Sequence, residues 1–375
     1  MSQKPRIAIL GIKYFPSKGG TSRVVEDMLT ELRDQYEFTI YCYKDEAAEG
    51  HLEGVNVVQF SPYPFGPIGV FFYFLRCTLH MLRHGKYDMI HVHKMDAAFF
   101  LPMLLRRFTV IATCHAVPYK TDKWNAIARF YFRSMEKMFI RSKAKLTAIS
   151  RPLSEYFKEQ YGREVLYIPN GVEISEDFDY DAADNILAEH QVEGEYLFFA
   201  ARRIMGIKGP HHMLRALNKI NYQGTVVIAG DLSQMPAFTK KIKELAEPLN
   251  VKFIGYVNGK AKLMALVDRA KFFLFPSEIE GMSIMLLEVG SVGTPLICSD
   301  IAANTAVFGD PEVLYFRSQD SDDFAEKLSW AFEHEEEMAE KARNARSRVE
   351  EEYAREVVVQ NYIELYDSML PTVLN

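Results

Sequence analysis

The segment FLFPSEIEGMSIMLLEVGSVGTPLICSD, residues 273–300, carries two glutamates eight positions apart, Glu280 and Glu288. The apolar run through Phe275 reads as a buried strand, and the pattern after it predicts a helix starting near Ser283. Glu280 and Gly281 then lie in the intervening loop. Glu288 lies in the second helical turn, where a side chain leans back toward the N-terminus. The N–H groups of Met282, Ser283 and Ile284 would point the same way, and such a terminus attracts phosphate. Carboxylates beside it are acceptors for vicinal hydroxyls. Phosphate and diols together describe a nucleotide sugar.

Other residues invite chemistry and support it less. His91 and His93 share one face of a strand, but no third metal ligand is evident, so a metal is not expected. His211-His212 reads as a helix start on the surface. Asp177, Asp179 and Asp181 form D-x-D-x-D, but Ala182 and Ala188 stand where a calcium loop needs Gly and Glu. An acidic linker is the reading there. Gly11, Gly19 and Gly20 do not make G-x-G-x-x-G, which disfavours a nicotinamide oxidoreductase.

These residues need elements to hold them. Short apolar runs alternate with helical patterns along the whole chain. Expected strands are 6–12, 37–43, 89–93, 109–114, 146–149 and 165–168, with a helix at 21–35. A second series of strands is expected at 196–200, 225–229, 251–254, 272–275, 295–298 and 313–315. Helical patterns at 210–219, 238–249, 260–269, 284–292 and 321–334 lie among them. Such alternation implies parallel sheets covered by helices on both faces. Two series imply an α/β chain of two Rossmann-like domains, with ligands beyond the carboxyl ends of the strands and the cleft between domains as the default site. The acidic stretch 172–195 marks the boundary.

Composition narrows the class. The chain has 375 residues and a formal net charge of −6, and about half its residues are apolar. It can bury cores, which excludes global disorder or a coiled coil. Its four cysteines form no CxxC pair, so a disulfide framework is not expected. The longest apolar runs, 67–75 and 97–105, are too short to cross a membrane, and the start lacks signal-peptide character. A cytoplasmic protein is the expectation. Charge is uneven: residues 1–173 hold 24 Lys and Arg against 17 Asp and Glu. The basic charge concentrates in 76–151, with 15 Lys and Arg against 4 Asp and Glu, where FFYFLRCTLHMLRHGKY and KWNAIARFYFRSMEKMFIRSKAK read as helices mixing aromatic and basic residues. An anionic membrane surface would suit them, with Arg129, Arg133, Lys137 and Arg141 as the contacts. A packed helix with a solvated basic face is the alternative. No nucleic-acid module is visible.

Glu280 and Glu288, set in P-S-x-x-E-G…L-E-x-G-x-x-G-x-P, resemble the signature of the retaining family 4 glycosyltransferases, the glycosyl transferases group 1 of the GT-B fold. Other pieces follow in that family's order. They are Gly19-Gly20, Tyr87–His93, Thr113-Cys114-His115, Ile168–Val172, Arg203-Ile204 with Lys208-Gly209, Ile228–Asp231 and Phe253–Val257. The resemblance covers nearly the whole chain.

It implies roles position by position. Arg203 and Lys208 would clamp the diphosphate and stabilise the leaving group. Glu280 would hold hydroxyls of the transferred sugar, and Glu288 those of the ribose. The N–H groups after Gly281, at Met282, Ser283 and Ile284, would contact phosphate and sugar. The backbone of Gly255, Tyr256 and Val257 would border the base. Gly19, Gly20, Thr21, His93 and His115 would line the acceptor side, with Gly19 and Gly20 also letting the backbone approach the donor's diphosphate and His115 also touching the donor sugar. Retention of configuration is implied, with no metal and no cofactor beyond a UDP- or GDP-linked sugar. The acceptor-binding domain would be 1–172 plus about 360–375, because the run 339–369 would cross back onto it. The donor-binding domain would be 173–359. A basic, aromatic first domain suggests a glycan or lipid-linked acceptor in cell-surface polysaccharide or lipopolysaccharide assembly, at the inner face of the membrane. A soluble enzyme of small-molecule metabolism and a non-catalytic binding protein of the same fold remain alternatives.

Overall fold

The computed structural model describes residues 4–17, 20–44, 52–64, 66–116 and 126–370. The chain forms two compact units, Met1–Gly171 with Arg355–Asn375, and Val172–Ala354. The crossing back falls at Ala354/Arg355, a few residues before position 360.

The first unit runs β1 (Arg6–Leu10), α1 (Thr21–Leu32), β2 (Glu37–Tyr43), β3 (Val55–Phe60), α2 (Gly66–His84), β4 (Met89–Val92), α3 (Leu101–Leu104), β5 (Thr109–Cys114), α4 (Ala126–Arg141), β6 (Lys145–Ala148), α5 (Arg151–Tyr161) and β7 (Leu166–Tyr167). Its sheet is parallel, in the order β3-β2-β1-β4-β5-β6-β7. The strands read as continuous apolar runs because both faces are buried. On one face Tyr73, Cys77 and Met81 of α2 and Met135 and Phe139 of α4 pack on Ile90, Val110 and Leu146. On the other, Val25, Leu29 and Leu32 of α1 meet Ile7, Ile9 and Phe38. The C-terminal helix Arg355–Met369 completes that layer with Val358, Tyr362, Leu365 and Tyr366. Each such side chain fully buried contributes roughly 1.5–3 kcal/mol.

The second unit opens with α6 (Tyr180–Glu189). It continues through β8 (Tyr196–Arg203), α7 (Pro210–Lys219), β9 (Thr225–Asp231), α8 (Pro236–Ala246), β10 (Asn250–Gly255), α9 (Lys260–Asp268), β11 (Phe272–Phe275), α10 (Ile284–Val292), β12 (Leu296–Ser299), α11 (Ala302–Thr305), β13 (Leu314–Phe316), α12 (Ser321–Glu333) and α13 (Glu335–Arg348). Its parallel order is β10-β9-β8-β11-β12-β13. Leu197, Val226, Ile228, Leu274 and Ile297 form the core with Met213, Leu217 and Leu328.

Three expectations change. The stretch 172–195 is not a plain acidic linker: Asp179 caps α6, its carboxylate accepting the N–H of Ala182 at 3.0 Å. That is ordinary N-cap chemistry. The strand β3 was unforeseen. The run 339–369 is not one helix. A π-turn at Val349–Tyr353 and an extended Ala354 break it, and Val172 N–H donates to Tyr353 O at 2.9 Å beside the break. The helix after the break is α14 (Arg355–Met369).

Candidate functional site

In an open parallel sheet, ligands gather beyond the carboxyl ends where the strand order reverses. In the second unit that point is β8/β11. β8 reaches Arg203, three residues farther than expected, with a register shift that sets Arg203 opposite Asp231. Arg202 and Arg203 are both exposed. Hydrogen bonds from Ser233 and Gln234 hold the Asp231 carboxyl below its usual range, and the Arg203 charge adds to this.

After β8 a short 3-10 turn, Gly206–Lys208, ends at Gly209 with φ +69°. A Cβ at Gly209 would run into the Pro276 carbonyl, so only glycine lets this turn lie against the β11 loop. The approach is sealed by Glu278 N–H donating to Ile207 O at 2.9 Å. Across it Lys208 Nζ reaches Glu280 Oε1 at 2.6 Å, a charge-assisted hydrogen bond with the carboxylate mostly buried. Behind the loop, Ser299 Oγ donates to Ser277 O at 2.5 Å, and Asn304 Nδ2 donates to Ser299 O at 2.9 Å. All three side chains are buried. This backing fixes the loop that carries Glu280.

The helix expected near Ser283 is α10, and Ser283 is its N-cap, accepting from Leu286 N–H at 3.3 Å. Met282, Ser283 and Ile284 therefore sit at its positive end. Glu288 lies in the second turn but is only 2% exposed, so it is enclosed rather than opening onto solvent. β10 ends at Gly255, whose φ is +70°. The Tyr256 ring then stands exposed while Val257 is buried.

The first unit reverses at β1/β4. Gly20, with φ +59°, precedes α1, and its carbonyl accepts from Arg23 N–H at 3.0 Å. Thr21 is the first residue of the helix. Gly19 lies outside the described residues. His93 follows β4, and its Nδ1 lies 3.2 Å from Nε2 of His115, which follows β5. The His91 ring lies 3.8 Å from that of His93 between centroids. His91 is held by Tyr366 OH and Thr113 Oγ1, each at 2.7 Å. With both its nitrogens engaged, His91 has no free atom to share a metal with His93. Burial, then the neighbouring imidazoles, press these rings toward neutrality: His91 to about 3 and His93 well below its usual value. Burial alone lowers His115 to about 4.

Helix α4 exposes Arg133, Lys137 and Arg141 at four-residue spacing, with Arg129 half-buried and Phe130 75% exposed. α2 exposes Ile68, Phe72 and Leu79. No helix among the described residues is long and apolar enough to cross a membrane.

One surface assignment fails. His211-His212 starts α7 but does not face solvent. Both rings are largely buried, and their Nε2 atoms face Glu278 Oε1 at 3.6 and 3.2 Å. Only the adjacency of β8 and β11 brings 211 and 278 together, and no local pattern announces it.

The family description "Glycosyltransferase Family 4" matches residues 18–176, and "Glycosyl transferases group 1" matches 183–348. Among curated relatives, the phosphatidyl-myo-inositol mannosyltransferase of Mycobacterium tuberculosis is 24% identical over 239 residues, 62% of this chain and 60% of that protein. The chain thus spans about 60% of that relative's length. The GDP-mannose:cellobiosyl-diphosphopolyprenol alpha-mannosyltransferase of Komagataeibacter xylinus is 25% identical over 310 residues, 78% of this chain and 75% of that one. Among solved structures, Anabaena HepE in complex with UDP and glucose superposes with a TM-score of 0.79 at 19% identity, covering 97% of this chain and 100% of that one. Both sheets, the ordered motifs and the two adjoining family matches agree: the chain has the GT-B fold and belongs to glycosyltransferase family 4.

Proposed function

We propose that the protein transfers a sugar from a nucleoside-diphosphate donor, held by the second unit, to a glycan or lipid-linked acceptor held by the first. The observation that carries this is the Lys208–Glu280 pair, at 2.6 Å beyond the β8/β11 reversal and close in sequence to the N-terminus of α10. A cation, a carboxylate and the positive end of a helix suit a diphosphate joined to a polyhydroxylated sugar. On this reading the incoming diphosphate competes with Glu280 for Lys208 and frees the carboxylate to accept sugar hydroxyls. Lys208 and Arg203 offset the charge that grows on the leaving phosphate. Tyr256 offers an aromatic face to the base. On this reading the configuration is retained, as the family resemblance implies, and no metal is needed because the two cations neutralise the diphosphate.

The relatives support a lipid-linked acceptor: one is named for phosphatidyl-myo-inositol, the other for a diphosphopolyprenol. The exposed Arg133, Lys137 and Arg141 of α4, with Phe130, support approach to an anionic membrane surface. Changing the three cations to Gln should abolish flotation with anionic vesicles. Flotation left intact removes the membrane part of the reading.

The deciding experiment is thermal denaturation with UDP, GDP, ADP, CMP and dTDP and their sugar conjugates, on wild type and Glu288→Ala. A ligand at a hundred times its Kd adds about 2.7 kcal/mol of apparent stability. One nucleotide raising Tm in the wild type alone fixes the donor class. No shift from any of them overturns the donor assignment.

A further inference from the structure

Behind the Lys208–Glu280 pair lies a second polar cluster that the transfer reaction does not use. His211 and His212 are the second and third residues of α7, and Glu278 comes from the β11 loop. Three ligand atoms, one from each residue, lie within 4.8 Å of one another. Oε1 of Glu278 is 3.2 Å from Nε2 of His212 and 3.6 Å from Nε2 of His211. A tetrahedral metal bound at about 2.0–2.1 Å sets its ligand atoms roughly 3.3–3.4 Å apart. The two His–Glu separations bracket that edge.

We propose that His211, His212 and Glu278 form a site for a divalent transition metal of the zinc class, with a fourth position left to water. Imidazole and carboxylate are the ligand types such ions take. Nδ1 of His212 lies 3.4 Å from Ser321 Oγ of α12. A proton on Nδ1 shared with that hydroxyl leaves the Nε2 lone pair turned to Glu278, the arrangement that orients a metal-bound imidazole. Without a cation the proton sits instead on Nε2, which then donates to Glu278 Oε1 at 3.2 Å. Side-chain exposures of 12%, 10% and 18% for His211, His212 and Glu278 keep the cluster enclosed but reachable.

The surrounding charges set the terms. Burial comes first in pressing both imidazoles toward the neutral, ligating form, and Arg215 and Lys241 add to it, while Glu278 opposes it for His212. The same two cations repel a dication, and a single carboxylate offsets only part of this. Moderate rather than extreme affinity follows. The metal would tie the α7 start to the loop bearing Glu280, just beyond the turn that bears Lys208. None of its three ligands is a residue assigned to the donor, so the site stands independently of the proposed transfer reaction.

The test is calorimetric titration of the metal-stripped full chain with Zn2+, repeated with Co2+ to read the tetrahedral visible spectrum. One equivalent should bind. His211→Ala and Glu278→Gln should each weaken binding by at least about tenfold, since losing a supporting partner alone costs that much. The control is His84→Ala, because His80 and His84 form a second pair on α2 with rings 5.0 Å apart. Binding lost in His84→Ala and kept in His211→Ala overturns the proposal. So does the absence of binding, which would leave two imidazole N–H groups donating to one carboxylate oxygen. If a variant misfolds, X-ray absorption on the wild type decides: two imidazoles and one carboxylate around zinc support the site, and any other shell refutes it.

Discussion

Both sheets reverse at an inner pair of strands, β1/β4 in the first unit and β8/β11 in the second, and both put polar side chains just past the strand ends. What they put there differs. The first unit offers rings pressed to neutrality, His93 and His115 past the strand ends and His91 within β4, where Tyr366 and Thr113 hold it. The second offers opposed charges, Lys208 against Glu280, on a loop held from behind by Ser299 and Asn304. One topology thus serves two chemistries, because the strand order fixes where side chains gather and the residues after each strand fix what they do. Neutral donors and acceptors suit hydroxyls. A cation that can exchange its carboxylate for phosphate suits a diphosphate.

The contrast can be broken most sharply at Lys208. Lys208→Ala should lower turnover by roughly 10²–10³-fold, the size expected when a donor to developing charge is removed. His115→Ala should cost less and leave nucleotide binding intact, as read by steady-state kinetics beside nucleotide titration. Equal losses in both parameters from both variants would falsify the division of labour.

A smaller effect reads the first unit's rings by pH. Folded pKa values of about 3 and 4 for His91 and His115 lie below the unfolded value near 6.5. Between these values the unfolded chain binds more protons, so stability rises with pH across that window and is lost as pH falls from about 6.5 toward 4. Over that window the loss should be on the order of 3 kcal/mol per imidazole, from the free-energy equivalent of such shifts. Denaturant melts at stepped pH, on wild type and a His91→Gln, His115→Gln pair, would show it. A pH-independent wild type over that range would remove the buried-neutral assignment. Smallest is the cap: Ser283→Ala should cost about 1 kcal/mol in the second unit alone. A native Tm in that variant would show that the α10 start is held by the loop rather than by Ser283.

Much of this was legible in the residues. α7 and α10 begin and end where the pattern places them, because Gly209-Pro210 and the Ser283 cap punctuate the chain. What escaped did so for physical reasons. β3 is an edge strand with Asn56 and Gln59 exposed, so it lacks the solid apolar run of its neighbours. α6 hid behind aspartates that resemble a linker until Asp179 is seen capping it. The break at Val349–Ala354 falls in a stretch of strong helix formers, Glu350, Glu351 and Glu352, where tertiary pairing with Val172 overrides propensity. At the site, Glu280 and Lys208 were readable from their motifs, whereas their contact and the His211–Glu278 cluster depend on β8 lying beside β11.

The pairing of Val172 with Ala354 bears on how such chains can change. The way into the second unit and the way out of it are neighbours, so residues 172–354 behave as one contiguous insertion whose two ends are already joined. Inserted units with adjacent ends can be exchanged without threading the host anew. Residues 172–354 can therefore be replaced by the equivalent piece of another family member, or expressed alone. The first unit has no such freedom, since α14 must return to complete its core. The second unit could then be traded by recombination at two adjacent joints while the first stays in place.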